Sequence, residues 1–134
     1  PGDEIGRQAA TLANNQVGLL ATDADGSTAG PTNEAFSAAN LVRYAYYQAT
    51  GGEVTLPTDI SAQIDQGDRV DPAAISPGDL VFFNTRNASF SHVGVYIGDD
   101  RFVHAPSSTG RVRIDRLNAG YFAARFETAR TYFD

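Results

Sequence analysis

The sequence predicts an α+β fold in which N-terminal helices pack on a curled antiparallel sheet of about five or six strands. Three observations predict it. Apolar residues recur at helical spacing through the first half of the chain, the period drops to two from Pro77 onward, and turn-forming clusters separate the period-two segments. Helices first and strands afterwards is the order of an architecture that gathers its helices on one face of an antiparallel sheet. At 134 residues the chain suits one domain over 1–134. An N-terminal helix and a variable loop would occupy 1–35, and the core 36–134.

The first helix is expected from Asp3 to Gln16. Ile5, Ala9, Leu12 and Ala13 share a face, and Asp3 and Glu4 suit the positive end of the helix dipole. Thr22 to Glu34 has loop composition. A second helix should run from about Ser37, a good N-cap, to Thr50, with Gly51 and Gly52 ending it. Its apolar stripe is Ala38, Leu41, Val42, Ala45, Tyr46 and Ala49, and Tyr44, Tyr46 and Tyr47 read as packing residues. A short third helix follows at about Asp59 to Gln66. Strands are expected at Leu80 to Asn84, Ser91 to Gly98, Phe102 to Ala105, Arg111 to Asp115 and Arg125 to Tyr132. Gly98-Asp99-Asp100 and Ser108-Thr109-Gly110 supply turns, and Asn87-Ala88-Ser89 reads as a polar turn rather than a glycosylation site.

Composition narrows the function. Apolar residues make up 42% of the chain, an ordinary globular value. The net charge of −6 argues against a nucleic-acid backbone or an anionic membrane surface as partner. No stretch approaches the roughly 20 apolar residues that a membrane span needs, and the start of the chain does not read as a signal peptide. There is no cysteine, which removes disulfides, thiolate metal sites and cysteine nucleophiles together.

The chemistry-bearing residues are two histidines, the only ones in the chain. His92 opens the strand Ser91-His92-Val93-Gly94-Val95-Tyr96-Ile97-Gly98. Val93, Val95 and Ile97 face one way there, and His92, Gly94 and Tyr96 the other. His104 lies on the next strand, in Phe102-Val103-His104-Ala105-Pro106. A tight turn between the strands would pair them and bring the imidazoles close. A histidine oriented by a second polar group is a general-base arrangement. Two strand histidines without a joint role are an equally good reading of the spacing alone.

Pro77-Gly78-Asp79-Leu80-Val81-Phe82-Phe83, followed by the His92 strand and then the His104 strand, resembles the signature of the NlpC-type peptidoglycan endopeptidases. The likeness covers about Phe36 to Tyr132. It implies a papain-like fold and, in the family, cleavage of the stem peptide after D-glutamate by a cysteine at a helix start. His92 then matches the family's base and His104 its orienting residue.

The helix start departs from that pattern. Phe36, Leu41 and Val42 match the family, and aligning on them puts Ser37 at its aspartate, Ala38 at the nucleophilic cysteine, Ala39 at its serine and Asn40 at its glycine. A thiol at a helix N-terminus beside an imidazole attacks as thiolate. A methyl group has no lone pair to offer. An engineered knock-out would change one position, whereas here the motif is rewritten from Ser37 to Asn40. Gln16 to Thr22 also lacks the family's wall tyrosine, and Thr58 stands after Leu56-Pro57 where arginine is common.

The resemblance therefore implies a degenerate, non-catalytic member, similar to the non-catalytic branch of the mycobacterial Rip group. It would be a pseudoenzyme that binds peptidoglycan through Ser37, Ala39, Asn40, Ser91, His92 and His104, with Ala38, His92 and His104 at the degenerate triad positions. No cofactor and no metal are expected. The setting implied is secreted, at the cell wall or in the periplasmic space, as a monomer that other cell-wall proteins could also contact. Alternatives are a hydrolase with a non-cysteine nucleophile such as Ser37, or a protein-interaction module. Serine at a helix start is far more often an N-cap. Asp23, Asp25, Ser27 and Glu34 have calcium-loop spacing, but Thr28 replaces the required glycine, so a solvated acidic loop is expected.

Overall fold

Residues 2–21, 35–85, 87–106 and 110–133 are described by a computed structural model of the chain. The expected acidic loop with its calcium-like spacing lies outside the described residues, as does most of the Ser108-Thr109-Gly110 turn.

Helix α1 (Gly2–Asn14) ends two residues before the expected stop, in a turn through Asn15 to Gly18. Ala9 and Ala13 on its inner face are fully buried. Their small side chains let α1 lie close against α2 (Ala38–Thr50). Ser37 caps α2 as expected, its hydroxyl accepting from the Asn40 amide at 3.2 Å. Gly51, at φ 63°, closes the helix in the left-handed conformation that glycine adopts without strain. Leu41, Val42, Ala45 and Tyr46 bury the stripe read from the sequence. Tyr44 packs its ring on Phe36, whereas Tyr47 stands 36% exposed and contributes less to packing than its position suggested. Helix α3 (Ile60–Asp65) buries Gln63, whose amide donates to the carbonyls of Ala39 at 3.1 Å and Pro57 at 2.7 Å. That ties the first turn of α2 to the segment ahead of α3.

Six strands form one antiparallel sheet in the order β3-β8-β4-β5-β6-β7. They are β3 (Asp68–Val70), β4 (Leu80–Phe83), β5 (His92–Gly98), β6 (Arg101–His104), β7 (Arg113–Arg116) and β8 (Phe126–Thr131). Alternation sorts their side chains into two clusters. Leu80, Phe82, Val93, Val95, Val103 and Ala105 face the helices. Val81, Phe83, Tyr96, Phe102 and Ala129 face the other way, where Phe122 and Leu117 pack on them. Both faces of β4 are thus covered, which is why Leu-Val-Phe-Phe runs apolar without a break.

Several elements were not expected. One is a parallel pair of two-residue strands, β1 (Leu20–Ala21) and β2 (Ala35–Phe36). Strand β3 is Asp-Arg-Val, too short and polar to show a period. Helix α4 (Gly120–Ala123) is one turn long. Strand β7 begins at Arg113, because Arg111 instead bridges to Leu20.

The Pro77-Gly78-Asp79 motif is scaffold. Gly78 has φ 97°, and a Cβ there would fall 2.4 Å from the Gly6 Cα. The Tyr46 hydroxyl donates to its carbonyl. The Asp79 carboxylate accepts from the Ser76 amide at 2.8 Å, and burial raises its pKa.

Candidate functional site

His92 is the first residue of β5 and His104 the last of β6, so an antiparallel pairing puts them at the same end of the sheet. The connecting turn uses Asp99 and Asp100 at φ 54° and 58°, the left-handed pair of a two-residue hairpin loop. Val95 pairs with Val103. Continuing that register one step places Gly94 opposite His104, with His92 diagonal to it on the same face. A Cβ on Gly94 would come within 3.2 Å of the His104 Cβ and 2.8 Å of the Phe102 ring. The glycine is the space that lets the two imidazoles lean together. His92 Nε2 and His104 Nδ1 are 2.8 Å apart.

The chain of contacts continues onto β7. His104 Nε2 lies 2.6 Å from Asp115 Oδ2. The Arg113 guanidinium grips both Asp115 oxygens, with Nε 2.9 Å from Oδ2 and Nη2 2.9 Å from Oδ1. Arg113 and Asp115 are two apart on one strand and so project to the same side. Their place beside His104 follows from the pairing of His104 with Arg113 and of Phe102 with Asp115.

His104 is fully buried and His92 is 8% exposed. The Phe122 ring lies nearly parallel to His92, with centroids 5.9 Å apart, and edge-on to His104 at 4.6 Å. Phe102 closes on His104 from 4.7 Å. Burial lowers the His104 pKa from 6.5 to about 4. The hydrogen bond and charge of Asp115 push the other way, and the nearby Arg113 charge adds to the lowering. Desolvation wins, so His104 is neutral at pH 7 and its contact with Asp115 is a hydrogen bond from a neutral ring rather than an ion pair.

The structure thus brings two of the expected residues, His92 and His104, into direct contact. It gathers Ser37, Ala38, Ala39 and Asn40 in the cap and first turn of α2, a helix that packs against β5 and β6. Ser37, Ala39 and Asn40 are buried, and Ala38 is half-buried against the main cluster. Ser91 sits in the β4–β5 turn, its hydroxyl accepting from the Thr85 amide at 3.0 Å. Asp115, Arg113 and Phe122 were not singled out from the sequence. The signal for the first two was present in Arg111-Val112-Arg113-Ile114-Asp115, where opposite charges two apart precede a turn and follow a histidine strand.

A curled antiparallel sheet backed by two helices, with an imidazole pair at the matching ends of neighbouring strands, defines the class of papain-like α+β domains. The NlpC/P60 family model matches residues 27–131, and the chain belongs to that family. Over 101 residues it is 36% identical to a gamma-DL-glutamyl hydrolase of Bacillus subtilis, covering 75% of this chain and 24% of that protein. It is 34% identical, again over 101 residues, to the murein DD-endopeptidase MepS/murein LD-carboxypeptidase of Escherichia coli, covering 75% of this chain and 52% of that one. The chain therefore spans about a quarter to a half of these relatives' length. Among solved structures, the peptidoglycan hydrolase RipB of Mycobacterium tuberculosis superposes with a TM-score of 0.77 at 25% identity, covering 98% of this chain and 66% of RipB. NlpC2 of Trichomonas vaginalis superposes with a TM-score of 0.80 at 25% identity, covering 97% and 47% respectively. Among the described residues no helix is long and apolar enough to cross a membrane.

Proposed function

We propose that this domain binds the stem peptide of peptidoglycan and does not cut it. One observation carries the reading: the His92–His104 pair is kept at 2.8 Å in a chain that has no cysteine anywhere. Ala38 then stands at the nucleophile's position and contributes only a methyl group. Losing the nucleophile abolishes cleavage, whereas binding draws on other contacts and can persist. His92, His104 and Ser91 on the sheet side, and Ser37, Ala39 and Asn40 at the helix start, are the proposed binding residues. The relatives' names support peptidoglycan as the ligand: RipB is a peptidoglycan hydrolase and MepS a murein endopeptidase. Such a ligand would put the domain's work outside the cytoplasmic membrane, at the wall or in the periplasm.

The reading disfavours Ser37 as a substitute nucleophile, because its hydroxyl already serves the helix as N-cap. The test is co-sedimentation with purified insoluble cell wall, alongside incubation with soluble muropeptides. Sedimentation with the wall and no new amines is the expected result. A domain that stays in the supernatant at low and moderate salt overturns the binding claim. Muropeptide cleavage that disappears in His92→Ala overturns the claim that it does not cut.

A further inference from the structure

Helix α4 sets two aromatic rings side by side next to the histidine pair. Phe122 turns inward and packs on both imidazoles, whereas Tyr121 stands 52% exposed. We propose that Tyr121 is a sugar-binding residue, whose outer ring face stacks on the amino sugar that carries the stem peptide. This rests on the stem-peptide reading above and extends it from the peptide to the glycan strand.

The Tyr121 ring is exposed and yet held. Arg125 lies over one face, its guanidinium carbon 3.7 Å from the ring centroid, and its Nη1 donates to the Tyr121 carbonyl at 3.0 Å. The Phe122 ring meets Tyr121 edge-on, with centroids 4.9 Å apart. With one face under Arg125 and one edge against Phe122, the exposure falls on the opposite face and the outer edge. A ring fixed in advance loses little freedom on binding, so more of its contact energy appears as affinity. Its place also suits a sugar. Phe122 stacks on His92 at 5.9 Å, so two ring-to-ring steps lead from Tyr121 to the histidine pair. About three extended residues, at roughly 3.5 Å each, cover that distance. A short peptide seated at the histidines therefore brings the sugar that bears it within reach of Tyr121. Charge selects the sugar over the amines of the stem. The Arg125 guanidinium already occupies the inner ring face, and a second cation on the outer face would be repelled by it. A pyranose ring presents a flat array of uncharged C–H groups, which an electron-rich ring face accepts.

The test compares the synthetic stem tripeptide L-Ala-γ-D-Glu-L-Lys with the same peptide carried on N-acetylmuramic acid, by calorimetry and by NMR of the ligand. The parent protein should bind the muramyl form about fivefold more tightly, the yield of one well-placed aromatic contact. Sugar-ring protons should shift upfield on binding, because they sit over the face of an aromatic ring. Tyr121→Leu keeps apolar bulk and removes the flat face, so it should bind the two ligands alike and leave the sugar protons unshifted. Tyr121→Phe should keep the preference, since the face and not the hydroxyl makes the contact. Equal affinities in the parent, sugar protons that do not move there, or a preference that survives in Tyr121→Leu overturns the proposal. Tripeptide binding without any gain from the sugar sinks this inference alone. If the parent binds neither ligand, the stem-peptide reading fails and takes this inference with it.

Discussion

The first turn of α2 and the paired ends of β5 and β6 are built in opposite ways. In the helix turn Ser37 caps, Ala39 and Asn40 are buried, and Ala38 packs against the main cluster. At the strand ends, four polar side chains from His92 to Arg113 form an unbroken relay with links of 2.6 to 2.9 Å. The contrast teaches something about cost. A helix start keeps its fold with any small residues and a cap. A buried polar chain is costly unless every member finds its partner. An apolar pair would serve the sheet as well, so the relay supports a role in binding.

The largest effect that would break this contrast is catalytic. Deleting the nucleophile of a comparable unit costs roughly 10⁶-fold in rate, so muropeptide turnover should fall that far below a cysteine-bearing relative. Ala38→Cys alone should restore little of it, since the rest of the turn is rewritten. Release of amines from muropeptides measures both, and turnover near a relative's rate in that variant would mean that only the thiol was missing.

Next is the pH dependence of stability. The folded pKa of His104, about 4, lies below its ordinary 6.5. As pH falls, the unfolded chain takes up the proton first, so stability is lost between about pH 6.5 and 4. The loss is bounded at about 3 kcal/mol. Asp79, with its raised pKa, works with the opposite sign. Urea unfolding across that range should show a steeper fall in the parent than in His104→Gln, and equal slopes would contradict a buried neutral His104.

Gly94→Ala should cost about 2 kcal/mol, because the new methyl would meet the Phe102 ring at 2.8 Å and the Val103 carbonyl at 2.9 Å. It should also weaken wall binding by displacing His104 from His92. Thermal unfolding and co-sedimentation read the two effects, and an unchanged Tm would show that the strands have room to spare. Ser37→Ala should be the mildest in stability, about 1 kcal/mol for a lost N-cap. If instead it abolished a measurable hydrolysis, Ser37 would be a nucleophile after all.

Much of this architecture was readable in the residues. Pattern and turn residues located α1, α2, α3 and the five longer strands to within two residues, most of them because they bury a face that repeats, although β7 is largely exposed. It missed β3 and the β1–β2 pair, which are two or three residues long and owe their pairing to distant partners rather than to a pattern of their own. The imidazole pair was half legible. Alternation put His92 and His104 on compatible faces, but only the register, with Gly94 between them, decides that the rings touch.

Local chemistry alone determined that the chain has no thiol, that Ser37 would cap a helix, and that two histidines would sit on neighbouring strands, since these depend on residue identity and short-range spacing. Only the tertiary structure decided that His104 is buried and neutral, that Asp115 and Arg113 complete its hydrogen bonds, and that Phe122 packs on both rings. Those facts depend on strand order and on which side chains exclude water from a shared face, and no local window of sequence contains either.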